Sequence, residues 1–550
     1  MSDRLPTIIV TGASGFVGRH FLDRAKSDFS IIGLCRRSQK EAGIAEHPNI
    51  RWVQVDLADW PVLKSVIQRV KEQGGADYVL HLAGYYDFSY DDHPEYARTN
   101  VNGTRHMLEA AKWLSVRRFI FSSSLAACEF PSSGSVITES SSPDAEFPYA
   151  RSKFRGEELV REYSQWFPCS TVRLAAVFSD WCEYPPLYVF LSTWLSGRWN
   201  ARILGGRGES AVSYIHVKDL NRLFLTIIEK TNDLPPHDIY NASPNGSTSH
   251  GRLFETATRY YYGRAVRPVF MPKTAAYPGI LLRQLWHRVV GKVPFEKVWM
   301  VKYIDRKLNI DSSYTREALG WEPIPRYHVL RRLLFMIEKM KSNPGEWELR
   351  NETVLKRVVQ RPNLKMYEAL VSVKEDVLRQ VVSYIRAPER VNEFASYRRM
   401  KRSELEWYIG IVYRLLMASV RTGDRALMLE YALDIAQRRF EEGFAPTEIR
   451  GVLQTMNRIV LSMLSDRQEL EGLEQEVYDA VTLTVQLAMD EIEEHYAAFM
   501  ERRRAAGPRV ARPTRARSGE ELERIIAHME AFYPLNQENG EQPGDATPTE

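Results

Sequence analysis

A chain of 550 residues is too long for one ordinary core and predicts two or three domains, and a hydrophobic content of 44% suits globular structure. The formal net charge of +4 is small for this length and its basic residues are spread along most of the chain, which argues against nucleic acid as a partner. Four cysteines (Cys35, Cys128, Cys169, Cys182) in no metal-ligand or redox spacing predict free thiols and no metal site. A strand starting just after Met1 and no apolar run of roughly 18 residues predict a cytoplasmic protein.

The first element is a β-branched run over residues 8 to 11 that breaks at Gly12, with Gly15 and Gly18 following into a helix. Strand, tight turn and helix start in that order suit a phosphate: Gly12 permits the turn, Gly15 allows close backbone approach, and Gly18 lets the helix pack on the sheet. A second strand over residues 30 to 35 ends in Arg36-Arg37, where a dinucleotide fold meets the adenosine ribose. Two guanidinium groups and no acid suit a 2'-phosphate, so NADP is the expected cofactor and NAD the alternative. A third strand over residues 51 to 55 closes on Asp56-Leu57, an amphipathic helix covers residues 62 to 71, and a fourth strand over residues 78 to 82 leads through His81-Leu82-Ala83-Gly84. This alternation predicts an α/β fold with a Rossmann-type, doubly wound parallel sheet.

Asn100-Val101-Asn102-Gly103-Thr104 opens a further helix, and a strand starting at Phe119 ends in Ser122-Ser123-Ser124. Tyr149 and Lys153 then stand four residues apart on a predicted helix, hence on one face. A nearby ammonium favours phenolate and is expected to bring the phenol toward the working range, while the lysine also holds ribose hydroxyls. Ser124, by its position, is expected to hydrogen-bond the substrate oxygen.

Over residues 1 to about 340 these pieces, together with Tyr214-Ile215-His216-Val217-Lys218-Asp219 and Ala318-Leu319-Gly320-Trp321-Glu322-Pro323, resemble an extended short-chain dehydrogenase/reductase of the epimerase/dehydratase type. The resemblance implies an NAD(P)-dependent oxidoreductase with the catalytic set Ser124, Tyr149 and Lys153, supported by Asn100. It implies cofactor contacts from Gly12, Ser14, Gly15, Phe16, Val17, Gly18, Arg36, Arg37, Asp56, Leu57, Leu82, Ala83, Gly84, Tyr149 and Lys153, with Asp56 on the adenine amino group. Departures narrow the substrate. The Asp-Glu pair of sugar-nucleotide dehydratases is replaced by Leu125-Ala126, and the arginine that epimerases place before the Tyr214 strand is replaced by Ala211-Val212-Ser213, with Arg207 somewhat upstream. Losing a charge-assisted clamp disfavours a diphosphate.

The run Tyr85-Tyr86-Asp87-Phe88-Ser89-Tyr90 looks more like the hydroxysteroid dehydrogenase and dihydroflavonol reductase branch, and Trp181, Tyr184, Tyr188, Phe190 and Trp194 are candidates to line an apolar pocket. The expected activity is NADP(H)-dependent interconversion of a secondary alcohol and a ketone on an apolar small molecule. The alternatives are a nucleotide-sugar epimerase and an NADP-sensing regulator. Residues 277 to 304 mix apolar and basic side chains in a pattern compatible with peripheral membrane contact or with packing over the substrate lobe.

The enzyme pattern ends near residue 340, and residues 341 to 363 are predicted as a linker. From 364 to 503 the sequence turns helical: Leu405, Tyr408, Ile409, Val412, Leu415 and Leu416 form one apolar stripe, and Ile449, Val452, Leu453, Met456, Ile459, Val460 and Met463 another. Such faces bury against one another in a bundle, expected to serve regulation or oligomerisation, with a protein partner or a second copy of the chain in a homo-oligomer. Residues 426 to 449 loosely resemble the helical N-terminal domain of stressosome co-antagonist proteins. Residues 504 to 550 are predicted as a basic, mostly disordered segment with a polar tail, with one short helix over 520 to 533.

Overall fold

The structure is a computed structural model that describes residues 4–88, 91–131, 135–290, 297–356 and 361–505. The chain divides into two compact units, Met1–Arg361 and Pro362–Glu550.

In the first unit seven strands make one parallel sheet: β1 (Thr7–Thr11), β2 (Ser30–Cys35), β3 (Ile50–Gln54), β4 (Tyr78–His81), β5 (Arg118–Ser124), β6 (Cys169–Leu174) and β7 (His237–Ala242), in the order β7-β6-β5-β4-β1-β2-β3. The β-branched runs read from the sequence are the strands, because both faces of the sheet are covered and every position of β1 is buried. One face packs Phe21, Leu223 and Phe224, the other Leu63, Val66, Met107 and Leu159. Helices α1 (Phe16–Ala25), α2 (Trp60–Glu72), α3 (Gly103–Leu114) and α4 (Pro148–Tyr163) pack against this sheet. Strand order reverses between β1 and β4, which opens a crevice at the carboxyl ends of these strands.

A buried ion pair fixes α4 to the sheet. Arg173 on β6 forks onto Glu157 of α4, Nε to Oε1 at 3.0 Å and Nη2 to Oε2 at 2.8 Å, and Ser123 Oγ donates to the same carboxylate at 2.5 Å. These contacts set the height of Tyr149 and Lys153 above β5.

Residues 341–363 depart from the expected linker. Pro344–Leu355 is a helix, with its proline in the first turn where the missing N–H costs nothing. Trp347 on it is buried with Leu333, Met336 and Tyr188.

The described residues of the second unit form helices Pro362–Arg386, Ala395–Arg399, Arg402–Thr422, Ala426–Glu441, Pro446–Leu464 and Glu474–Ala505 around one core. Both expected stripes face it: Leu405, Ile409, Leu415 and Leu416 are buried, as are Ile449, Val452, Leu453, Met456 and Val460, with Tyr408, Val412, Ile459 and Met463 packed at its margin. Of the basic segment and tail expected over 504–550, residues 504 and 505 end the helix Glu474–Ala505 and the rest lies outside the described residues, as do Ser89, Tyr90, residues 291–296 and the side chains of 282–290 within the segment read as membrane contact or packing. No described helix is long and apolar enough to cross a membrane.

Candidate active site

The crevice is built around the glycine turn. Gly12 has φ of +65°, and a Cβ there would stand 2.8 Å from the Ala83 amide nitrogen; at Gly18 it would stand 2.4 Å from the Gly12 carbonyl oxygen. Side chains are excluded at both positions, because the turn packs directly on the chain after β4 and the start of α1 packs on the turn. Gly15 starts α1 with no side-chain cap, leaving amide donors and the positive helix end facing the crevice. Thr11 Oγ1 accepts from the Leu82 and Ala83 amides, each at 3.1 Å, and pairs with His81 Nδ1 at 2.8 Å, while His81 Nε2 meets Thr104 Oγ1 at 3.0 Å. Burial pushes the His81 imidazole down to about 3, so this clasp of β1, β4 and α3 is neutral at working pH.

The end of the crevice at β2, expected to meet the adenosine, holds a charge network that sequence reading missed. Arg37 Nη2 donates to the Ser14 carbonyl at 2.6 Å, and its buried Nη1 has no hydrogen-bond partner. Arg36 pairs with Glu95 at 3.3 Å. Arg98 bridges Glu95 at 3.0 Å and Asp56 at 2.7 Å, while Asp56 Oδ1 accepts from the Ala58 amide. Asp56 is thus placed at the crevice as expected but already engaged by Arg98, a residue 42 positions away with no local signal. A turn closed to side chains, an uncapped helix start and an orphaned guanidinium N–H together fit a dinucleotide phosphate.

At the end expected to be catalytic, Ser124 closes β5 with its Oγ accepting from the Ala126 amide at 3.1 Å, and it also lies within hydrogen-bonding reach of the Tyr149 phenol. Asn100 sits in the wide helical turn Tyr96–Asn102 ahead of α3. Its Oδ1 accepts from the Tyr85 amide at 2.5 Å, and its Nδ2 donates to the Tyr85 carbonyl and to Ser152 Oγ, both at 2.9 Å. It therefore ties the end of β4 to α4 and acts as a positioning residue. A Cβ on Gly84 would stand 3.3 Å from Lys153 Nζ, so the chain after β4 runs directly beside the ammonium.

The protonation of the pair differs from the expectation. Burial pushes the Tyr149 phenol up to about 12, opposed only by the Ser124 hydrogen bond, and pushes the Lys153 ammonium down to about 8. The reason is geometric: Lys153 Nζ donates to the Ser122 carbonyl at 2.8 Å and lies 5.9 Å from the Tyr149 ring centroid, so desolvation outweighs mutual attraction.

A pH dependence results. Below its folded pKa of about 8 Lys153 is a buried charge; between there and the unfolded value of 10.5 the unfolded chain binds the extra proton, so this group makes stability rise with pH across that window. The stability difference between wild type and Lys153→Met, measured by urea unfolding from about pH 7 to about pH 10.5, is expected to move in favour of wild type above about pH 8. A flat difference would show that the ammonium is not desolvated.

Beyond Tyr149 opens a cavity of about 850 Å³. Tyr86, Phe88, Phe147, Tyr184, Phe190 and Trp194 line it, with Tyr86 packed on Tyr149 at 4.4 Å between centroids. Two aromatics expected there lie elsewhere: Trp181 stacks under Lys339 and Arg350, and Tyr188 is buried against Trp347 with its hydroxyl donating to Glu352. Val212 and Ala126 are on the cavity wall, Leu125 is buried, and Arg207 is exposed beside Asp305 and Glu209. Arg198 and Arg306 reach the lining from farther along the chain.

The turn leading into Tyr184 is a second feature absent from the sequence reading. Cys182 and Glu183 both have left-handed backbone, φ of 72° and 54°. The buried Glu183 carboxylate takes Arg19 and His20 of α1 and Ser179 Oγ, and its amide donates to Asn351 Oδ1 at 2.8 Å. Asp180, held well below the usual carboxylate range by its hydrogen bonds from His216 and Arg332, anchors the same turn.

Residues 8–243 match the model of the NAD dependent epimerase/dehydratase family. The human dTDP-D-glucose 4,6-dehydratase is 28% identical over 255 residues, 43% of this chain and 69% of that one. The UDP-glucose 4-epimerase of Mycolicibacterium smegmatis is 24% identical over 331 residues, 57% of this chain and 93% of the relative. Among solved structures, a UDP-glucose 4-epimerase from Thermotoga maritima with UDP-glucose superposes with a TM-score of 0.48 at 21% identity, covering 62% of this chain and all of that one.

Proposed function

Through residues 8–243 the chain belongs to the NAD dependent epimerase/dehydratase family and is an extended short-chain dehydrogenase/reductase enzyme; on that premise we propose that it interconverts a secondary alcohol and a ketone on a bulky, largely apolar substrate. The observation that carries this reading is the aromatic chamber beside Tyr149, with Val212 where epimerases place a cationic clamp on the substrate diphosphate. A bound nicotinamide cofactor supplies or accepts the hydride. The residues that would hold it are Gly12, Gly15 and Gly18 at the phosphates, Arg36 and Arg37 at the adenosine end, and Lys153 at the ribose; the two arginines support NADP over NAD.

In reduction, the Tyr149 hydroxyl, protonated at neutral pH by its raised pKa, donates its proton to the carbonyl oxygen. Ser124 Oγ hydrogen-bonds that oxygen and fixes the carbonyl in the plane of attack. The ring wall of Tyr86, Phe88 and Phe147 excludes water from the step. Water elimination is disfavoured, because Leu125-Ala126 supply neither acid nor base.

The second reading is a nucleotide-sugar 4-epimerase. The 93% coverage of the mycobacterial relative favours it, and Arg198 and Arg306 on the chamber wall are two cations able to hold a diphosphate. A panel of steroid and long-chain ketones and of nucleotide sugars, followed by NADPH and NADH oxidation and by sugar analysis, separates the two. Net cofactor oxidation with an apolar ketone is expected; conversion of a sugar nucleotide to its 4-epimer without net oxidation would establish the second reading instead. The helical unit is proposed to serve regulation or self-association.

A further inference from the structure

The rim of the chamber carries an exposed apolar surface of unusual charge. Trp199, 88% exposed, and Phe270 and Tyr277, each 52% exposed, stand out to solvent with Val269 and Leu281. These residues are not scattered. The strand Val269–Met271 pairs in parallel with Ile203–Gly205, and the Arg202 guanidinium donates to the Arg267 carbonyl at 2.8 and 2.9 Å, which brings residues 198–205 and 267–271 together. Trp199, Met271, Gly279 and Ile280 belong to the chamber wall, so the exposed side chains surround its opening and not a remote face.

The charges of these two segments all have one sign. Residues 196–208 contain Arg198, Arg202 and Arg207, residues 263–281 contain Arg264, Arg267 and Lys273, and neither segment contains an aspartate or glutamate; among the described residues Arg207 alone of these stands beside acids, Asp305 and Glu209 at 3.9 Å, which leaves the other cations to carry the charge. Outward aromatic side chains ringed by cations around an apolar opening match an anionic bilayer interface: tryptophan and tyrosine favour the headgroup level, and each basic side chain near the surface adds attraction. A soluble apolar ligand would not require this surface, and a protein partner that met it would have to bring acidic groups in surplus.

We propose that the chamber rim formed by residues 198–207 and 264–281 docks on an anionic lipid membrane, from which the chamber takes an apolar substrate. The docking stands on the surface itself; the second half, substrate entry from the bilayer, rests on the carbonyl reading above. Of the segment 277–304, read from the sequence as either a membrane contact or packing over the substrate lobe, Tyr277 and Leu281 belong to this surface, while Gly279, Ile280, Trp299 and Tyr303 line the chamber.

Vesicle sedimentation with the full-length chain tests it, using vesicles of phosphatidylcholine alone and of an equimolar phosphatidylcholine–phosphatidylglycerol mixture. Binding to the anionic vesicles, at least about tenfold weaker with the neutral ones and released by high salt, is expected. The double variant Arg264→Glu/Arg267→Glu and the single variant Phe270→Ser are each expected to weaken binding by about tenfold or more at unchanged melting temperature and NADPH affinity. Quenching of tryptophan fluorescence by brominated lipid is expected to fall in Trp199→Phe. Equal binding to both vesicle types, full binding by the charge-reversed variant, or a dimer in solution that Phe270→Ser dissociates would each overturn the docking surface. Vesicle binding with no turnover of any apolar ketone would uphold the docking and overturn the carbonyl reading alone.

Discussion

Tyr149→Phe is expected to lower turnover about a thousandfold, the range for removing a positioned general acid, while cofactor affinity changes by less than about threefold. Phenylalanine keeps the ring that packs between Tyr86, 4.4 Å away, and Phe147, 6.2 Å away, so the chamber wall survives and only the hydroxyl beside Ser124 is lost. The wild-type phenol, pushed up to about 12, is almost fully protonated at neutral pH, so alcohol oxidation, which needs phenolate, is expected to accelerate with pH. Steady-state rates in both directions with cofactor titration by fluorescence check this. Turnover within tenfold of wild type would remove Tyr149 from the chemistry.

The second large effect is Trp347→Ala, expected to destabilise the first unit by about 3–5 kcal/mol, the cost of deleting a buried aromatic. Trp347 is 3% exposed among Leu333, Met336 and Tyr188. Its carbonyl accepts from Asn351 Nδ2, which also donates to the Trp181 carbonyl, so loss of the indole loosens the turn that carries Glu183. Were residues 341–363 a linker, the same substitution would cost less than about 0.5 kcal/mol. Urea unfolding of wild type and variant, followed by near-ultraviolet circular dichroism, separates the two outcomes. A boundary cut at residue 345 is expected to fail for the same reason, whereas Arg361 ends the unit.

Legibility in the sequence divides by the range of the interaction. The glycine turn, the strand ends and the Tyr149–Lys153 spacing are local patterns, and each lies where expected, because backbone sterics and helical period act over a few residues. The helix Pro344–Leu355 is hidden by Pro-Gly, a pair that marks a break unless the proline occupies the first helical turn. Arg98 on Asp56, Asn351 on Glu183 and Arg332 on Asp180 join residues 42, 168 and 152 positions apart, and no single-chain pattern announces such partners. The Tyr149 shift runs opposite to the expectation because adjacency on a helix face says nothing about water, and here exclusion of water outweighs the neighbouring charge. Trp181 and Tyr188 show the same limit: aromatic residues close in sequence to a pocket wall are as well placed to serve the layer behind it.

The Glu183 carboxylate joins the crevice and the chamber in one mechanical element. Arg19 and His20 reach it from the helix whose uncapped first turn faces the crevice, and the next residue, Tyr184, is chamber wall. Left-handed backbone at Cys182 and Glu183 is conformationally costly and persists only while those anchors hold it. Any adjustment of that helix on cofactor arrival is therefore transmitted to the room left for substrate, and the kinetics should show a compulsory order in which dinucleotide precedes substrate and leaves last.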